Sequence, residues 1–190
     1  MVEVLVTLII ILVGLLGIAG LQARAQISEL ESYQRAQALI LMSDLVDRLN
    51  INRSTVSCFA ITTNTTTGTP FMGTAGSGHM SAPSCTASTT EYNDQAVETL
   101  DLLDDMLEGS AESLGGSNVG AMIGARACIN YDASTELSGQ PGTGLFTIIV
   151  TWQGMADLFA PVNMNCAVGL YGTEAKRRAV STTVRMANLF

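Results

Sequence analysis

Charge is scarce in this chain, and catalytic chemistry scarcer. Asp, Glu, Lys and Arg together make up 14% of the 190 residues, against 47% hydrophobic residues. That composition is too apolar for a disordered polypeptide and too poor in charge for an ordinary cytosolic enzyme. Lys and Arg number nine against seventeen Asp and Glu, and none of the nine falls between residues 54 and 125. A nucleic-acid partner is not expected, because the phosphate backbone needs a basic footprint. There is one His, and the four Cys include no C-x-x-C pair. Both facts argue against a zinc site, and few general bases remain for acid–base work. No Ser-His-Asp arrangement, P-loop, dinucleotide fingerprint or H-E-x-x-H motif occurs. The expectation is therefore a protein without enzymatic activity, cofactor or metal.

What the chain does have is a charge-free run at its start. Val4 to Ala23 reads VLVTLIIILVGLLGIAGLQA. As a helix these twenty residues span about 30 Å, the thickness of a bilayer core. A secretory signal peptide is the competing reading, and Ala23-Arg24-Ala25 supplies an A-x-A pattern. Against it, no Lys or Arg precedes the run, Arg24 lies inside the supposed cleavage site, and the run is long for a signal-peptide core. Residues 22–50 continue in good helix formers with no Gly or Pro. Ile27, Leu30, Ala38, Leu41, Leu45 and Leu49 form one apolar stripe. Glu31–Arg35 and Asp44–Arg48 are i, i+4 pairs that support a helix. A single helix over residues 2–50 is about 75 Å long. A compact globule of this size has a radius of gyration of about 16 Å, so the first half must protrude. Glu3 is the odd residue. A carboxylate among Met1, Val2 and Val4 either marks the headgroup level or has a function, because burying it in hydrocarbon costs about 2.5–3.5 kcal/mol.

The remainder reads as a head domain, 54–190, behind a helical segment, 1–53. Residues 54–90 are rich in Thr, Ser, Gly and Pro, which predicts a loop or short hairpin. His79 stands alone there and reads as a surface residue. Asn64-Thr65-Thr66 matches a glycosylation acceptor pattern, read here as chance. A second helix is expected over 92–108, with Ala96, Leu100, Leu103 and Leu107 on its inner face. Asp94, Glu98, Asp101, Asp105, Glu108 and Glu112 form the outer one, read as a solvated face rather than a calcium site. Gly109 and Gly115-Gly116 end that helix. Strands are expected at Met122–Tyr131, Gly144–Gln153 and Ala179–Leu189, with a turn at 139–142. On the second, Phe146, Ile148, Val150 and Trp152 share a face.

The opening Met-Val-Glu-Val-Leu-Val-Thr-Leu-Ile-Ile, followed by a long helix, resembles the N-terminus of type IV pilins and pseudopilins. Their mature chains begin Phe-(Ser/Thr)-(Leu/Met)-(Ile/Val)-Glu, and Met1-Val2-Glu3 matches the last three positions. The resemblance implies that Phe and Ser/Thr, and before them a leader ending in Gly, precede Met1. The family often carries a Pro about seventeen residues after the Glu, where this chain has Gly20 behind Gly14 and Gly17. Three glycines at i, i+3 and i+6 weaken a helix, each by about 1 kcal/mol, and also allow close helix packing. We expect this segment to unwind partly on assembly. Further along, Asn118–Ala127, Thr151-Trp152-Gln153-Gly154, Tyr171-Gly172 and Arg177–Arg185 are similar to PilV-type minor pilins, the pilus modification subfamily.

The implied fold is α+β: a long N-terminal helix, apolar first half protruding, packed on an antiparallel meander over 120–190. The stripe of residues 27–49 would cover the sheet. The implied function is a structural subunit of a bacterial type IV pilus, acting in priming or at the tip. Such filaments serve adhesion and twitching motility, and their subunits carry N-terminal methylation. Its partners would be other pilin subunits, the inner membrane before assembly, and the assembly machinery. Its destination would be the extracellular pilus. By the same resemblance Glu3 would pair with the N-terminal amine of a neighbouring subunit. A major pilin or a type II secretion pseudopilin are alternatives in the same class, and a membrane-tethered periplasmic binding module is the alternative outside it. The four cysteines allow three disulfide pairings. The expected one is Cys58–Cys85, closing the Thr-rich loop, with Cys128–Cys166, tying the first strand to the segment before the last. Disulfides suit an oxidising compartment.

Overall fold

The computed structural model describes residues 2–109, 113–114, 117–118, 122–138, 140 and 142–187. Glu112 of the acidic stripe, Gly115-Gly116, Gly139 and Pro141 of the expected turn, and the end of the third strand run beyond 187 lie outside the described residues. So do residues 119–121 of the Asn118–Ala127 motif.

Helix α1 runs unbroken from Val2 to Ile51. Its buried residues, Gln34, Ala38, Leu45 and Leu49, recur at fours and sevens and so share one face. Leu41, Met42 and Val46 flank that face, half-buried against the core. The apolar stripe is shorter than periodicity suggests. Ile27 and Leu30 remain 41% and 50% exposed, and every residue from 2 to 30 is exposed. About 44 Å of helix therefore projects beyond the head. Periodicity reports which face is apolar, not how far the sheet beneath it extends.

Among the described residues six strands follow α1. They are β1 (Met72–Gly73), β2 (Ser113–Leu114), β3 (Ser117–Asn118), β4 (Arg126–Asp132), β5 (Leu145–Gln153) and β6 (Arg177–Arg185), with helix α2 (Thr90–Glu108) between β1 and β2. The main sheet has the order β1-β4-β5-β6, all antiparallel, and β2 pairs with β3. Strand β4 starts at Arg126 rather than Met122, because Gly124 turns the chain at φ +61. Strand β5 starts one residue late, at Leu145. Strand β6 starts two residues early, at Arg177, where a 3-10 turn over Glu174–Lys176 feeds directly into it. Helix α2 starts at Thr90, two residues before the expected position, and ends on Gly109 at φ 81, a left-handed cap.

The 54–90 segment is more than a loop. A 3-10 stretch, Arg53–Phe59, delivers Val56 and Phe59 to the core, and Phe71 and Met72 are fully buried. Met72 and Gly73 pair with Ala127 and Arg126 and form the sheet edge.

The core has two parts, one on each face of the sheet. α1, α2 and the inward residues Phe146, Ile148, Val150 and Trp152 build the larger cluster. On the opposite face Phe71, Cys128, Ile149, Cys166, Ala167 and Tyr171 pack together. The chain passes so close there that a Cβ on Gly68 would lie 2.3 Å from the Cys166 Cα.

Strand β5 runs antiparallel to α1. Thr182, the partner of Ile148, lines a cavity with Met42, Ser43, Val46 and Asp47. Trp152 and its partner Arg178 line another with Ser28, Glu31, Ser32 and Arg35. Moving along β5 toward its C-terminus thus moves back along α1 toward the protruding end.

Candidate assembly surface

The protruding part of α1 holds two of the sequence-derived features. Glu3 lies in the first turn and the three glycines lie further along. Among the described residues no other element packs against them. A Cβ at Gly14, Gly17 or Gly20 would meet nothing within 4 Å, and the helix passes through all three without interruption in the single chain. Val2, Leu16 and Leu21 are 77%, 72% and 70% exposed. By length and composition the helix is apolar enough to cross a membrane, and none of its apolar run is buried in the head. At about 25 cal/mol per Å² of apolar surface, such a segment is strongly driven out of water, into lipid or against copies of itself.

The sulfur pairs lie in the head. Cys58 and Cys85 join the turn after α1 to the stretch before α2, with Cα atoms 5.4 Å apart. Cys128 and Cys166 join β4 to the segment before β6, 5.7 Å apart. The second bond sits inside the smaller apolar cluster and holds its cover on the sheet.

A clasp holds the point where α1 leaves the head, and sequence reasoning missed it. Glu31 is paired with Arg178, Nη2 to Oε1 3.1 Å, rather than with Arg35 one turn along. The same oxygen accepts the backbone N–H groups of Met155 and Ala156, at 3.1 and 3.2 Å. Arg178 also donates to the carbonyls of Ala175 and Ala156, at 2.9 and 2.6 Å. The partners are 147 residues apart, so no local pattern announces them. The expected Asp44–Arg48 pair does form, at 2.7 Å. Beside the clasp lies a cavity of about 250 Å³, lined in part by Trp152, Arg35 and Leu158.

His79 is not solitary. Its Nε2 lies 3.0 Å from Asp104 Oδ1, and its ring meets Phe71 edge-on with centroids 5.9 Å apart. Asp104 was absent from the acidic stripe because it faces inward; it also accepts the Gly73 N–H at 2.6 Å. His79, Asp104 and Glu108 bring their ligating atoms within 4.8 Å of one another. The Oδ1 of Asp104 is thus already committed to fastening the sheet edge to α2. On the outer side, Asp94, Glu98, Asp101 and Asp105 are exposed.

The second face of the sheet carries a buried cation. Arg126 donates to the carbonyls of Thr74 and Ala75, at 2.8 and 3.0 Å, and lies over the rings of Phe71 and Tyr171, 5.4 and 5.0 Å from their centroids. Burial pushes the Tyr171 hydroxyl above the usual tyrosine range, opposed by its bond to Thr151 and by Arg126. These interactions pack the second face of the sheet.

Residues 20–96 match a family model described as Tt1218-like, type IV pilin Tt1218. The match spans the lower part of α1, the Thr-rich segment and the first turns of α2. It supports a type IV pilin family, whose members are structural rather than enzymatic. The long apolar helix on a four-stranded antiparallel sheet agrees with that fold. No curated protein and no solved structure gives a significant match.

Proposed function

We propose that the chain is a minor pilin of the PilV type, a subunit that primes a type IV pilus or sits at its tip. Residues 1–53 are the assembly segment and 54–190 the head. The observation that carries the reading is a 50-residue helix whose residues 2–30 are all exposed in the single chain. A bilayer covers that surface before assembly, and the helices of other subunits cover it afterwards. In the filament core Glu3 neutralises the N-terminal amine of a neighbour. Both charges leave water together, and breaking such a buried pair costs about 3–5 kcal/mol. The segment Gly14–Gly20 gives up helical hydrogen bonds on packing, where protein groups replace them, since lipid cannot. An unbroken helical ladder from Val4 to Ala25 in the filament would contradict that step.

Replacement of Glu3 by Leu separates assembly from membrane insertion, because Leu inserts at least as well as Glu. The expected outcome is Glu3→Leu protein accumulating in the inner membrane and missing from sheared pili. Incorporation at the wild-type proportion would rule out the charge-pairing role.

A further inference from the structure

The segment that follows β5 is unusual for the surface of a protein head. Residues 155–160 are all exposed, and they include Met155 at 47%, Leu158 at 55% and Phe159 at 100%. Val162 adds a further 76% exposed apolar side chain, and Asp157 is the one charge among them. This is not a loose strand that failed to fold back. Met155 and Ala156 are fixed by Glu31, the Ala156 carbonyl by Arg178, and the Leu158 N–H by the Ala175 carbonyl at 2.8 Å. The backbone is held on both sides of Asp157; Phe159 stands fully exposed, while Leu158, half exposed, also borders the cavity beside the clasp.

The position of this segment identifies what covers it. Strand β5 runs toward the protruding end of α1, so the residues after Gln153 lie at that end of the head. Glu31, which anchors them, is eight residues past Ala23, about 12 Å along the helix. The headgroup layer extends about 5–7 Å beyond the hydrocarbon on each side of a bilayer. Phe159 is three residues past Ala156 and reaches up to about 10 Å further. We propose that Met155, Leu158, Phe159 and Val162 form a membrane-contacting tip. Before assembly it would rest in the headgroup–acyl boundary of the bilayer that α1 crosses, and fix the tilt of the head. This rests on the reading of α1 as membrane-spanning. An apolar surface held beside a spanning helix gains by entering that boundary, as interfacial segments do.

The test uses the full chain in nanodiscs of phosphatidylethanolamine and phosphatidylglycerol, one copy per disc. Spin labels are placed singly at Phe159→Cys, at Leu16→Cys within the apolar run, and at Ile51→Cys, 73% exposed at the far end of α1. Collision with oxygen is compared with collision with a water-soluble nickel complex. The expected result is an oxygen-to-nickel ratio several-fold higher at 159 and at 16 than at 51. A ratio at 159 equal to that at 51, with 16 still high, overturns the tip while leaving the spanning helix intact. Equal ratios at all three overturn both. Protection of 159 only when many copies are crowded in one vesicle would make a neighbouring subunit the occupant, and overturns the proposal as well.

Discussion

Removing the Glu31 carboxylate charge probes how α1 is held at the angle from which it projects. One carboxylate oxygen takes two backbone N–H donors and the Arg178 guanidinium, while the side chains of Arg178 and Glu31 are 13% and 24% exposed. A hydrogen bond to a charged group contributes about 1.5–3 kcal/mol, and a buried pair broken on one side costs about 3–5 kcal/mol. Glu31 is partly open to water, so both figures must be reduced. Glu31→Gln keeps an acceptor and loses the charge, which places its cost at about 1–2 kcal/mol. For a chain of this size each kcal/mol moves the melting temperature by about 2–4 °C, so the expected shift is about 2–8 °C. Glu31→Leu strands three donors and should cost more. Thermal and urea unfolding of the full chain in detergent, followed by circular dichroism, reads both. A double-mutant cycle with Arg178→Met should give a coupling of about 1 kcal/mol. Strict additivity, or a Glu31→Gln protein that melts with the wild type, would refute the clasp as a stabilising contact.

Three further outcomes follow from the head. Non-reducing peptide mapping should recover 58–85 and 128–166 linkages and no free thiol; Cys128→Ala with Cys166→Ala should lower stability by about 3–4 kcal/mol in the chain-entropy model, and a 58–128 link would rule out the pairing. Asp104→Ala should cost about 1–3 kcal/mol in urea unfolding by releasing Gly73 and His79, whereas Asp101→Ala on the solvated face should stay within about 0.5 kcal/mol; equal effects would remove the special role of Asp104. Burial raises the Tyr171 value, so the folded chain holds that proton more tightly than the unfolded one. Its contribution is intact below the ordinary tyrosine value of about 10 and is lost as pH rises through the folded value. Stability of Tyr171→Phe should therefore fall less steeply above that pH, and an unchanged slope would count against it.

Features set by local pattern were legible in the sequence, and those set by distant pairing were not. The charge-free run and uninterrupted helix formers announced α1, because helix length depends on residues close in the chain. Ala96, Leu100, Leu103 and Leu107 announced the buried face of α2 for the same reason. Phe146, Ile148, Val150 and Trp152 marked the inner face of β5, but nothing announced that its other face is also covered. That cover comes from Phe71 and residues 166–171, brought in from elsewhere in the chain. Edge strand β1 escaped notice because two residues, Met72 and Gly73, carry no periodicity. The stripe through Ile27 and Leu30 was apolar but extended past the sheet. The Glu31–Arg178 and His79–Asp104 contacts join residues far apart in sequence, where spacing rules have no reach. Glu3 was legible as a chemical oddity within one helix, but the partner proposed for it belongs to another molecule.

Filament incorporation bears most directly on the account. Pili sheared from cells are compared with inner membranes, in a strain able to extend filaments and in one lacking the extension motor, by quantifying peptides from the head. The account predicts the chain in the sheared fraction of the first strain, and its retention in the membranes of the second. A chain confined to the membrane in both strains, with pili otherwise normal, would contradict it and identify the helix as a permanent anchor.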